Sequence, residues 1–224
     1  MTAKRLYPII ACGSIVFAVV GIVVGQLVPD PDLNPLNVTV SEYAVSDRGG
    51  VTEAAMVVLG LGSLLLLKAL KAAHAPVRGL PERLLWVWSG ALIVAAVIPT
   101  TPIGDDLTLT AQIHRYVSVA AFVSLPVAAA LLVPRLAADE AWQPVARTVE
   151  WLALAGGLGV LAITYVALPG ERVMIGLVER LLLGAEVAVL AVLAAWLVRL
   201  AWGRAIHQQP VNFPTYHKFV ASGS

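Results

Sequence analysis

Six long apolar runs divide this chain, and they leave it few folds to choose from. They lie at about Tyr7 to Val28, Val51 to Leu70, Leu84 to Ile98, the stretch carrying His114 and ending near Val133, Glu150 to Leu168, and Gly176 to Trp202. A hydrocarbon core takes about 20 apolar residues to cross as a helix. Within it backbone N–H and C=O groups must be satisfied internally, so such runs are helical unless they close a barrel. Composition points the same way: 59% of the 224 residues are hydrophobic and 13% charged. Soluble domains carry roughly half and about a quarter. The expectation is an all-α, integral membrane six-transmembrane-helix bundle over residues 1–204, with a polar tail at 205–224. Lys4 and Arg5 precede the first run as in a signal sequence, but its apolar part is about twice the usual length, so it reads as an uncleaved span. The single cysteine, Cys12, permits no intrachain disulfide. Trp86 and Trp88 at the start of the third run, and Trp142 in the loop between the fourth and fifth, are expected at the headgroup level, where amphipathic rings are favoured.

Orientation follows from charge. Alternate connections put eleven Lys and Arg residues on the side of the N terminus, among them Lys68, Lys71, Arg78, Arg135 and Arg147. Four fall on the other side: Arg48, Arg115, Arg172 and Arg180. The acids divide oppositely, four against ten. By the positive-inside rule both termini are expected in the cytoplasm of a multi-pass protein of the inner (plasma) membrane.

Polar groups collect in the half facing outward. The connection Ile98-Pro-Thr-Thr-Pro102 leads through Asp105 and Asp106 to the fourth span, where Thr110, His114 and Ser118 share one face and Arg115 stands beside them. In the sixth span Glu179 and Glu186 share a face, with Arg180 next to the first. Glu186 lies about 15 Å below the start of its span, near the bilayer centre. An unpaired carboxylate there costs about 2.5 to 3.5 kcal/mol on insertion scales. Glu53 and Tyr165 add polar groups at neighbouring span ends, and Ser41, Glu42 and Tyr43 lie in the long 29–50 connection, where they cap a short helix or fold back on the bundle.

This pattern implies a polar cavity with both signs of charge. His114 with Asp105 or Asp106 is an acid/base pair in the catalytic reading, with Glu186 as a buried acid. Ser41, Glu42, Tyr43, Glu53, Arg115, Ser118, Tyr165, Glu179 and Arg180 then line the substrate site, Arg115 and Arg180 meeting an anionic headgroup. The substrate expected is lipid-like or isoprenoid. Two other readings use the same residues: a proton-coupled transporter or channel subunit working through Glu179 and Glu186, and a scaffold in which the polar groups only fix helix packing. Neither Ser41 nor Ser118 stands in a G-x-S-x-G nucleophile motif. Only His114 among four histidines reaches the outer cluster, so a three-histidine zinc site is excluded there, while a hard cation on Asp105, Asp106, Glu42 or Glu53 stays open. No phosphate loop, CxxC, haem or nucleic-acid signature occurs, so no cofactor is expected; the partners expected are the bilayer, the small molecule and a second copy of the chain.

The order of these features resembles the bacterial six-span family called domain of unknown function 998. The resemblance covers most of the membrane region and rests on Ser41-Glu-Tyr43, on Ile98-Pro-Thr-Thr-Pro102 followed by Ile113-His114, and on Gly176-Leu-Val-Glu-Arg180. Thr101 stands where the family often has an acid, which moves attention to Asp105 and Asp106. The resemblance implies a six-helix fold in a prokaryotic membrane and carries no established activity.

Overall fold

In a computed structural model of the chain, residues 6–26, 33–45, 50–101 and 106–207 are described, the last five as backbone only. Each apolar run forms a helix: α1 (Tyr7–Gln26), α3 (Val51–Ala72), α4 (Leu80–Val97), α5 (Leu109–Ala138), α6 (Gln143–Ala167) and α7 (Ile175–His207). All six are long and apolar enough to cross a membrane. The short α2 (Val40–Val45) sits in the connection between the first two spans, where a short helix or fold-back was expected.

The spans form a ring in chain order. α1 packs on α3, α3 on α4, α4 on α5, α5 on α6 and α6 on α7, and α7 closes the circle against α1. Lipid is as apolar as leucine, so helices in a membrane associate by close packing rather than by the hydrophobic effect, and small residues at the seams allow it. The Gly21-x-x-x-Gly25 spacing of α1 is used in this way: a β-carbon at Gly21 would lie 3.3 Å from the Ala55 side chain, and one at Gly25 3.5 Å from Thr52. Between α5 and α6, Gly156 admits the ring of Pro126.

The two ends of the ring differ. Toward the termini it is filled by Leu66, Leu70, Leu132, Leu136, Leu193 and Leu197, each at most 2% exposed. Toward α2 the interior holds Thr52, His114, Glu179 and Glu186, all buried.

Two boundaries and one tryptophan depart from the sequence reading. α5 does not stop near Val133 but continues through Pro126 and Pro134 to Ala138, because Leu136 anchors its last turn in the core. α6 begins at Gln143, well before Glu150, leaving a connection of a few residues in which the Asp139 carbonyl accepts the Trp142 and Gln143 N–H groups at 2.9 and 2.7 Å. Trp142, expected at the membrane surface, is 2% exposed, and the adjacent Ala141 carbonyl accepts the Trp196 indole N–H at 2.8 Å. An indole with packing on both faces gains more from the core than from the headgroup layer.

Candidate functional site

The α2 end is built on a capping box. Thr39-Val-Ser-Glu42 places a hydroxyl at the helix N-cap and a carboxylate three residues on. Thr39 Oγ1 accepts the Glu42 N–H at 3.2 Å, while Glu42 Oε2 accepts both the N–H and the hydroxyl of Thr39 at 2.9 Å. The segment 33–45 is thereby set as a strap across the ring, and α7 holds it down.

The holding is done mainly by two adjacent residues. Glu179 Oε2 accepts the Val40 N–H at 2.6 Å. Arg180 donates Nη1 to the carbonyls of Pro35, Val38 and Gly176 at 2.7, 2.8 and 2.8 Å, and Nε to Gln26 Oε1 at 3.0 Å. Its guanidinium also lies 5.4 Å from the centre of the Tyr43 ring, and the Tyr43 hydroxyl donates to the Leu33 carbonyl. Further along, Leu177 N–H donates to the Leu36 carbonyl at 3.1 Å, and Arg172 pairs with Glu42. The strap approaches so closely that a β-carbon at Gly176 would overlap the Val38 and Pro35 carbonyl oxygens. Glu171, Arg172 and Met174 all have positive φ, at 50°, 62° and 58°. Each costs roughly 1–2 kcal/mol in that region, an expense the strap contacts offset.

His114 occupies the second turn of α5 and is 7% exposed. Its Nδ1 lies 2.6 Å from the Ile98 carbonyl, a group with no helical partner because α4 has ended at Val97. A carbonyl only accepts, so Nδ1 carries a proton, and in the neutral imidazole Nε2 then presents the lone pair. That nitrogen is buried and has no hydrogen-bond partner among the described residues.

Three cavities meet here. The largest, about 390 Å³, lies among α5, α6, α7 and the strap; His114, Arg115, Ser118, Glu42, Arg172 and Glu179 form its polar wall and Val119, Phe122 and Ile163 part of its apolar one. A second, about 340 Å³, lies toward α3 and α4 and has Ser41, Glu53, Thr100 and His114 on its walls. Between the spans a central cavity of about 50 Å³ has Ser41, Ser118, Glu179, Glu186 and Trp88 on its walls. Ser41 borders all three and His114 the outer two.

Of the residues singled out from sequence, the structure brings Ser41, Glu42, Glu53, His114, Arg115, Ser118 and Glu179 to these cavities, and Glu186 to the central one. Glu53 also accepts the Gly50 N–H at the start of α3. Tyr165 is 66% exposed on the outside of α6. Arg180, expected to meet a headgroup, directs Nη1 to the Pro35, Val38 and Gly176 carbonyls and Nε to Gln26, Tyr43 packs against it, and its Nη2 is buried with no partner among the described residues. Asp106 is exposed, with no bond to His114 among the described residues, and Asp105 lies outside them; the carbonyl of Ile98 takes the orienting role expected of a carboxylate. No group of three or more His, Cys, Asp or Glu placed to hold a metal occurs among the described residues.

Trp88 lies elsewhere than its sequence position suggests. Expected at the headgroup level with Trp86, it is 1% exposed and donates its indole N–H to Glu186 Oε2 at 3.3 Å. The signal was present: two tryptophans two residues apart lie about 200° apart around a helix, so only one of them can face lipid. Gln26 and Arg172 were passed over, because their partners lie far away in the chain.

No curated protein and no solved structure matches the chain. The family model described as "Protein of unknown function (DUF998)" matches residues 11–196, spanning all six membrane helices from the first turns of α1 to the last turns of α7, and the chain belongs to that family.

Proposed function

We propose that this membrane protein is an enzyme that binds an amphiphilic, lipid-like molecule at its α2 end and uses His114 Nε2 as a base. The observation that carries the reading is the state of His114: the ring is fixed through Nδ1 to Ile98, and Nε2 is left buried and unpartnered beside a cavity of about 390 Å³. A lone pair held in one direction next to a cavity suits proton abstraction from a bound hydroxyl. The rim supplies Arg115 and Arg172 for an anionic headgroup, and Val119, Phe122 and Ile163 offer an apolar wall to a chain. Positive-inside asymmetry puts both termini in the cytoplasm, so this site would face the opposite side of the membrane.

The transporter reading asks for access to Glu186 from both ends of the bundle. The leucine-filled half toward the termini favours the enzyme reading over it.

The test uses wild type, His114→Gln and Arg115→Ala purified in mild detergent. The glutamine amide can still donate to Ile98 but is no base, so His114→Gln should melt close to wild type. Mass spectrometry of retained lipids should find a discrete amphiphile on wild type and less of it on Arg115→Ala. After incubation with total membrane lipid, wild type should change the mass of that amphiphile and His114→Gln should leave it unchanged. A wild type that retains nothing discrete, or a His114→Gln that converts the amphiphile equally well, overturns the reading.

A further inference from the structure

Glu186 is the most deeply placed charged side chain type in the described bundle, about 16 Å along α7 from Ile175 and 1% exposed. Its Oε2 accepts the Trp88 indole N–H, while Oε1 is buried with no partner among the described residues. That oxygen belongs to a side chain on the wall of the central cavity, whose volume of about 50 Å³ has room for roughly three waters at about 10–15 Å³ each. Such a carboxylate in hydrocarbon must find a cation, a proton or water.

The groups around it narrow the choice. The cavity is walled by side chains of α1, α2, α3, α4, α5 and α7, and among them the one other titratable group is Glu179. No Arg, Lys or His among the described residues stands on its walls. Arg180, the cation next in sequence to Glu179, is turned to the strap carbonyls. Glu179 has both that neighbour and the Val40 N–H, whereas Glu186 has one indole N–H. Two carboxylates thus share a space with one nearby cation, and the one without it is Glu186.

We infer that Glu186 is a proton-binding site: Oε1 holds a proton that exchanges through water in the central cavity with Glu179, and from there with the cavity beside His114. The two carboxylates are seven residues apart on one helix, about 10.5 Å along its axis, which a short chain of waters spans. When the O–H bond at Oε1 breaks, a cavity water takes the proton and passes one on to Glu179. Glu179 becomes neutral, Glu186 takes on the negative charge while keeping the Trp88 bond, and the pair carries one negative charge throughout. The central cavity adjoins the larger one through Ser41, Ser118, Phe122 and Glu179, which border both. Toward the termini Leu125, Leu190 and Leu193, each 1% exposed, close the interior, so exchange runs from the α2 side alone. The inference does not depend on His114 acting as a base.

Infrared spectroscopy of the purified protein tests it. Wild type should show the carbonyl stretch of a protonated carboxylic acid, missing from Glu186→Gln, that shifts on transfer to deuterium oxide. Ser118→Leu, which fills the junction between the two cavities, should keep the band and slow its exchange severalfold. Loss of carboxylate bands instead of a carbonyl band in Glu186→Gln would overturn the inference, as would a carbonyl band that never exchanges or an exchange rate indifferent to Ser118→Leu. If Glu186→Gln does not fold, Trp88→Phe serves: loss of the indole donor should move the same band, and a band that stays in place counts against Glu186 as its source.

Discussion

Glu179 accepts the N–H of Val40 at 2.6 Å across 139 residues of chain, so a carboxylate buried in the last span holds the first turn of a six-residue helix. Glu179 also borders both the central cavity and the larger one beside His114. One side chain therefore fixes the strap and forms part of the cavity wall beneath it. Glu179→Ala should leave the Val40 N–H buried without a partner, at a cost of about 1–3 kcal/mol. Glu179→Gln keeps an acceptor and should cost less. Thermal melting in detergent should rank wild type above Gln above Ala, and proteolysis of the Ala variant should speed up within 33–45; equal melting of all three would remove Glu179 from this role.

Arg180 cannot be exchanged for lysine on the same argument. Its planar guanidinium donates Nη1 toward three carbonyls while Nε reaches Gln26, a spread of directions that one ammonium cannot reproduce. Hydrogen bonds from a charged donor contribute about 1.5–3 kcal/mol each, so Arg180→Lys should lose roughly 2 kcal/mol or more even though the charge is kept. Hydrogen exchange is the more specific readout. Amides of 33–45 should open in the variant while those of α3 and α5 hold their protection. A uniform loss of protection would instead mark Arg180 as a general support of the bundle.

Gly176→Ala separates helix propensity from packing by sign. Alanine is favoured over glycine within a helix by up to about 1 kcal/mol, so propensity alone predicts a more stable protein. At this position, however, the new methyl group would overlap the carbonyl oxygens of Pro35 and Val38 and crowd Arg180 Nη1. The expected outcome is a lower melting temperature and a displaced strap, measured by melting together with cross-linking of cysteines introduced at Asn37 and Met174, positions joined in the parent by a 3.2 Å hydrogen bond from the Met174 N–H to Asn37 Oδ1. A stabilised variant with unchanged cross-linking would show that the strap stands further off.

Much of this arrangement was legible in the sequence because a membrane makes polar residues expensive. His114, Glu179 and Glu186 stand out in apolar runs, helical spacing puts the two glutamates on one face, and all three prove to be buried. The helix count follows from the length of the runs; at Ser41-Glu42-Tyr43 the sequence leaves a short helix or a fold-back open, and the cap that forms the helix is Thr39 with Glu42. Partners were not legible, because periodicity assigns a residue to a face without saying what lies opposite. Spacing therefore gave Arg180 as a cation beside Glu179 without the four acceptors that its Nη1 and Nε meet, and Trp88 as an interface ring without the Glu186 carboxylate that accepts its N–H. Pro134 is the local case: proline signals a helix end, but the burial of Leu132 and Leu136 on either side carries α5 past it.

The seam between α5 and α6 bounds the larger cavity and rests on one close approach. A β-carbon at Gly156 would stand 3.0 Å from Pro126 Cγ and 3.1 Å from its Cβ, and the proline ring, locked in the backbone of α5, has little freedom to move aside. Gly156→Val should therefore force the two helices apart, at about 1–3 kcal/mol for overpacking. Because the strain comes from one contact, Pro126→Ala should relieve part of it: the double variant should be more stable than the sum of the single changes predicts, by about 0.5 kcal/mol or more. Denaturation of the four proteins in mixed detergent micelles measures the coupling. Coupling near zero would mean that α5 and α6 meet elsewhere along their length, and that the wall of the His114 cavity does not depend on this pair.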